Sequence, residues 1–185
     1  MSIFRYEFMR GHNPLSTLPQ KIDYVLDPYK TASQYSIAIR GNYYSKDYPA
    51  MEAAIFNNKY LHGNLYGKGY DHYIISPYDA ADEGLSAETM WAAAKEIGQL
   101  LCNQFTEWDQ FLGIFALHFN TGLPHVHYLI DNVGLRTGRR RNFSRWEFQQ
   151  LRYAINQCLQ KYEISPIPVG GIYKSDYCPN AVSVH

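Results

Sequence analysis

Two strand-like runs, QFLGIFALHF over residues 110–119 and PHVHYLIDNV over 124–133, are joined by the four-residue turn NTGL. A hairpin closed by that turn pairs Phe119 with Pro124 and sets His118 opposite His125, with Cβ atoms roughly 5 Å apart on one face. The two-residue period of a strand adds His127 to the same face. Three imidazoles therefore converge from local pairing alone. The opposite face carries Phe115, Leu117, Phe119, Val126, Tyr128 and Ile130, an apolar surface that helices can cover. The histidine face is completed by Ile114, Ala116, Leu129 and Asp131. Three neutral imidazoles with open coordination positions form a metal-binding set, whereas three protonated ones would repel one another. A barrel hydrolase that uses His-x-His needs a far longer chain than these 185 residues.

The helices that could cover the hairpin are legible as well. SAETMWAAAKEIGQLLCNQF over 86–105 has Ser86 as its cap and one apolar face. SRWEFQQLRYAINQCLQKY over 144–162 opens with a Ser144–Glu147 capping box, and its apolar residues recur at helical spacing. Earlier, STLPQKIDYVLD over 16–27 reads as a short helix with an apolar stripe of Leu18, Ile22, Val25 and Leu26. Tyr24 lies about 200° round the helix from that stripe, at 3.6 residues per turn. Strands are expected over 2–10 and 70–77, with a short strand and a tail over 163–185. The stretch 31–69 is rich in Tyr, Asn and Gly, and yields only a short helix over 49–56. The expected fold is α+β in one domain spanning 1–185, a mostly antiparallel sheet with helices packed on one face.

Charge narrows the function classes. Lysines and arginines total 17 against 17 acids, so the chain has no net footprint for nonspecific nucleic-acid binding. The arginines are nevertheless uneven: Arg136, Arg139, Arg140, Arg141 and Arg145 fall within GLRTGRRRNFSR. Three widely spaced cysteines, with no CxxC pair, suggest neither a disulfide framework nor a thiolate zinc site. No run approaches the roughly 20 apolar residues of a membrane span, and the charged start does not read as a signal peptide, so a cytoplasmic protein is expected.

HFNTGLPHVHYLIDNV resembles the third motif of plasmid relaxases, the mobilisation nucleases of the His-hydrophobe-His (HUH) endonuclease class. His118, His125 and His127 stand at its metal-ligand positions. DHYIISPYDAADEGLSAETMWAAAKEIG resembles the second motif, in which a strand ends in a serine that contacts DNA, here Ser76. GLRTGRRRNFSRWEFQQLRYAINQCLQKY resembles the segment that follows the third motif. KIDYVLDPYKT resembles the first, which carries a nucleophilic tyrosine in a short helix ahead of a Lys-Thr pair. That motif selects Tyr24 from 17 tyrosines, with Tyr29 in reserve. The resemblance covers residues 3–162. It implies a palm-like, ferredoxin-like nuclease fold, origin-like single-stranded DNA as substrate, accessory mobilisation proteins as partners, and Mg²⁺ or Mn²⁺ as cofactor. Three nitrogen ligands favour Mn²⁺ over Mg²⁺, with Zn²⁺ or Ni²⁺ as occupants of a purified sample.

The reaction so implied is attack of the Tyr24 phenol on a phosphodiester, giving a 5′-phosphotyrosine and a 3′-hydroxyl. A site-specific nickase needs a local positive groove, for which Arg136, Arg139, Arg140 and Arg141 are the candidates, with exposed tyrosines stacking bases. The chain departs from the family at the turn, where acidic residues normally steady an imidazole and Asn120, Thr121 and Gly122 stand instead. Asn120 can orient a histidine by a hydrogen bond, and Asp131 on the same face could compensate for the missing carboxylates. His72, ahead of YIISP, matches a family position and is a supporting candidate. Two other readings stand beside the nickase: a non-catalytic DNA-binding relative, and a metal hydrolase that uses activated water.

Overall fold

The computed structural model describes residues 3–6, 14–76, 84–103, 109–121, 124–167 and 172–173, without the side chains of 3–6, 145, 172 and 173. Seven strands form one sheet: β1 (Ile3–Tyr6), β2 (Ser36–Arg40), β3 (Tyr43–Ser45), β4 (Tyr70–Ser76), β5 (Leu112–His118), β6 (His125–Asp131) and β7 (Ile172–Tyr173). Their spatial order is β3-β2-β5-β6-β4-β1-β7. All pairings are antiparallel except β1 with β7, at one edge. The mostly antiparallel α+β architecture is as expected. The hairpin register also holds, with His118 opposite His125 and Ala116 opposite His127.

Helices α1 (Leu18–Val25), α2 (Tyr48–Leu61), α3 (Ala87–Asn103) and α4 (Arg145–Lys161) cover this sheet. The two long helices behave as the sequence predicts. The Ser86 hydroxyl accepts from the Thr89 amide at 3.1 Å. Ser144 and Glu147 complete their capping box, an arrangement that stabilises a helix start by about 1 kcal/mol. Helices α3 and α4 bury Ile97, Leu101, Leu151, Ile155 and Leu159 against Phe115, Leu117, Val126, Tyr128 and Ile130 of the sheet. Gly98 lets α3 sit close: a Cβ there would stand 2.5 Å from the Phe115 ring.

The arrangement is fuller than one covered face. Leu18, Ile22 and Val25 of α1, with Met51 and Ile55 of α2, pack on Ala38, Tyr70, Ile114, Ala116 and Leu129 of the other face. The histidine face is therefore core along its middle, with the histidines at its hairpin end. Strands β2 and β3 and the full length of α2 arise from the stretch the sequence leaves mostly unassigned. Asp47 caps α2 by accepting from the Ala50 amide at 3.0 Å. Among the described residues, no helix is long and apolar enough to cross a membrane.

Candidate functional site

Strands β5 and β6 deliver the three histidines to one end of the sheet. His118 is fully buried and His127 nearly so, at 0% and 2% exposure. One ligating nitrogen from each of His118, His125 and His127 can be chosen so that all three lie within 4.8 Å of one another. The other nitrogens are held from behind. His118 Nε2 lies 2.8 Å from the Val25 carbonyl, and a carbonyl only accepts, so Nε2 carries the proton and Nδ1 the lone pair. His127 Nδ1 lies 2.8 Å from His72 Nε2; donation from Nδ1 leaves His127 Nε2 as a lone pair. Thr121 Oγ1 lies 3.2 Å from His125 Nδ1.

His118 Nδ1 and His127 Nε2 are buried polar atoms with no hydrogen-bond partner. Such atoms are costly unless something completes them, by about 1–3 kcal/mol each. Burial also pushes the His118 imidazole down to about 4 and the His127 imidazole well below its usual value, with neighbouring histidines adding to the effect. Neutral His118 and His127, each oriented by a second partner, suit a transition-metal ligand set. The residues present therefore fit a divalent cation.

Helix α1 ends against this cluster. The Tyr24 ring, 42% exposed, lies 5.4 Å from the His127 ring and 5.9 Å from the His118 ring, centroid to centroid. Two cations attend it: Lys30 Nζ stands 3.8 Å and Lys21 Nζ 5.3 Å from the Tyr24 centroid. Lys30 is steadied by Asp27 at 3.0 Å, and its carbonyl accepts from the Phe119 amide at 2.8 Å. Tyr29 is 93% exposed, and its amide, not its ring, is engaged, donating to Asp27 at 3.0 Å.

Other candidates fall elsewhere. Ser76 closes β4 beside the hairpin and donates to the Pro124 carbonyl at 2.9 Å. Asn120 is exposed in the turn, and of the two described turn residues Thr121 reaches a histidine. Asp131 does not compensate for the absent turn carboxylates, because it sits at the far end of β6, six residues beyond His125 in the strand, or about 20 Å. There it is buried against Lys59 Nζ at 2.7 Å and Asn58 Nδ2 at 2.8 Å. The arginine segment follows Asp131, so it too lies at the far end despite its nearness to the histidines in sequence. Arg141 is not available to DNA: it is 8% exposed, donates to the Leu101 carbonyl at 2.5 Å, and stacks over Phe111 and Phe143. Arg140 is turned inward to Asn64 at 2.9 Å. Arg136 and Arg139 are exposed.

Sequence reasoning missed Thr121, Lys21 and Lys30 as neighbours of the site, and Asn58 and Lys59 as partners of Asp131. An Asp27–Lys30 pair three residues apart was readable as a local ion pair, but not as one placed over a tyrosine. His72, a supporting candidate on sequence grounds, is 1% exposed and stacked on His127 at 5.0 Å.

The sequence pattern of the relaxase nuclease domain, MobA/VirD2-like, matches residues 24–164. The chain belongs to that relaxase family. Solved structures share its fold at low identity. One, solved for the molecular basis of vancomycin resistance transfer in Staphylococcus aureus, is 14% identical with a TM-score of 0.57, over 89% of this chain and 95% of that one. Another is the MobM relaxase domain bound to plasmid pMV158 oriT DNA with Mn, 12% identical with a TM-score of 0.59, over 100% of this chain and 94% of that one. No curated protein matches the chain by sequence. Within the relaxase family the match begins at Tyr24 and takes in all three histidines.

Proposed function

We propose that this relaxase domain nicks and rejoins single-stranded DNA at an origin-like site, through a covalent 5′-phosphotyrosine on Tyr24. The observation that carries the reading is the juxtaposition of two partnerless imidazole nitrogens, on His118 and His127, with the half-exposed Tyr24 ring 5.4 Å from His127. Metal-bound MobM holding oriT DNA supports it by likeness of fold.

His118, His125 and His127 would hold the cation, Mn²⁺ or Mg²⁺ by the family and Mn²⁺ by the nitrogen donors. When bound, it supplies Lewis acidity toward a non-bridging oxygen of the scissile phosphate. The protein supplies position. The Val25 carbonyl, His72 and Thr121 fix the three imidazoles, and α1 holds the Tyr24 phenol beside them, so that nucleophile and phosphate meet in one orientation. Lys30 and Lys21 bring positive charge to an anionic phosphodiester. In the step, the phenolic oxygen forms the new bond to phosphorus and the bond to the 3′-oxygen breaks. The phenolic proton passes to solvent, and a proton from solvent completes the departing 3′-oxygen as a hydroxyl. One phosphodiester replaces another, so the reverse attack rejoins the strand.

Incubation with Mn²⁺ and labelled single-stranded oligonucleotides that include origin-like sequence should give an adduct that survives denaturation. Loss of that adduct in Tyr24→Phe and in EDTA is the expected result. Cleavage that persists in Tyr24→Phe without an adduct would replace this reading with a hydrolase that activates water.

A further inference from the structure

The far end of the sheet carries a second surface with its own chemistry. The loop after α2 and the loop after β6 are stitched together there. Arg140 Nε donates to Asn64 Oδ1 at 2.9 Å and Nη2 to the Asn64 carbonyl at 3.2 Å, with a further bond to the Tyr66 carbonyl. Asn64 Nδ2 returns a bond to the Gly138 carbonyl at 2.9 Å. Gly138 has φ +66° and abuts the His62 ring, so only glycine allows this approach. From beneath, the Asp109 carboxylate, 7% exposed, accepts from the amides of Arg136 at 2.9 Å and Thr137 at 3.2 Å. The two loops therefore form a fixed platform, and the Asp109 carboxylate is spent on holding it.

Tyr60 is 72% exposed, Leu61 78% and Tyr66 87%, and Arg136 and Arg139 are exposed on the loop that Arg140 and Gly138 tie to the one after α2. Of the six Lys and Arg in segments 57–68 and 133–141, Lys59 and Lys68 pair with Asp131 and Asp71, Arg141 is buried and Arg140 is turned inward to Asn64, which leaves Arg136 and Arg139 as the cations this surface presents. A cleft of about 270 Å³ adjoins, with Arg40, Asn57, His62 and Leu135 in its lining. Exposed tyrosines at the end of α2 and on the loop after it, with exposed arginines on the loop tied to it, fit single-stranded nucleic acid, whose bases stack on the rings while its phosphates meet the guanidinium groups.

We infer that this platform is a second binding site for single-stranded DNA, beyond the end of β6 that lies away from the histidines. The inference rests on the nickase reading for the identity of the strand, but its test does not. Binding of fluorescein-labelled dT30 is followed by anisotropy in EDTA, so that metal-dependent cleavage plays no part.

The paired variant Tyr60→Ala/Tyr66→Ala should weaken dT30 binding by about tenfold or more. Arg136→Gln/Arg139→Gln should flatten the dependence of log K on log salt by about 1.4, at about 0.7 per phosphate contact. All four positions are exposed, and unchanged thermal melting shows that the variants fold. In Tyr66→Trp, dT30 should quench the new tryptophan emission. Wild-type affinity and salt slope in both double variants would overturn the platform, as would unquenched emission, or binding of an acidic protein in place of dT30. An adduct at Tyr24 with no effect of the platform variants sinks the platform alone. Platform-dependent dT30 binding in a chain that never forms an adduct sinks the nickase alone.

Discussion

Strand β6 ends in histidines on one side of the molecule and in Asp131 and Asn132 on the other, and the two ends handle buried polarity in opposite ways. At the Asp131 end the groups answer one another. The carboxylate takes Lys59 at 2.7 Å, Asn58 at 2.8 Å and the Val133 amide at 3.1 Å, while Lys59 also reaches Asn132 at 2.9 Å. Burial pulls Lys59 down and Asp131 up, toward neutrality, and their mutual attraction opposes both shifts. At the histidine end, the outer nitrogens are anchored while two inner nitrogens face each other with no partner. The network around Asp131 closes on itself and holds α2 to the sheet; the open nitrogens of His118 and His127 converge with a third imidazole, His125, as a metal ligand set does.

That contrast can be broken at either end. The largest effect is expected for Tyr24→Phe, which should reduce covalent DNA adduct to background while leaving thermal unfolding unchanged; surviving adduct would move the nucleophile elsewhere. Next, Lys59→Met strands the Asp131 charge in the core and should destabilise folding by about 3–5 kcal/mol in denaturant titrations. Adding Asp131→Leu should recover most of that loss, and failure to do so would mean that the pair does more than satisfy itself. At the histidine end, His72→Phe removes the group behind His127 and should lower metal affinity by about 10–100-fold in calorimetry. An affinity equal to wild type would show that His127 orients itself. Smallest is Thr121→Val, which removes one hydrogen bond to His125, worth about 1 kcal/mol, and should weaken the metal about fivefold. A loss matching that of His72→Phe would mean that the turn carries more of the site than its single contact suggests.

The hairpin, its register and the two long helices were legible because each depends on near neighbours: period-two alternation, a four-residue turn, a capping box. Tyr24 was legible by direction as well as by motif, since a residue off the apolar stripe of α1 had to point outward. Helix α2 and strand β2 were harder to read. The run SIAIR is short, and it becomes a strand only because β5 offers Phe115 and Ile114 opposite Ile37 and Ala38. The arginines misled for a related reason. Five positions after Asp131, Arg136 looked close to the histidines in sequence, yet a strand separates its two ends by its full length. Asp131 misled in the same way: sharing a face with His127 is not the same as sharing an end.

The Val25 carbonyl that accepts from His118 belongs to the residue next to Tyr24. One peptide link thus gauges the spacing between the Tyr24 phenol and the imidazole lattice, and drift in the rest of the domain moves both together. An added residue between Tyr24 and Val25 would turn the phenol about 100° off its line, whereas one added in the turn after α2 would leave that alignment untouched. Tolerance to change along this chain should therefore be narrowest not in its most buried strand but at a single bond on a half-exposed helix.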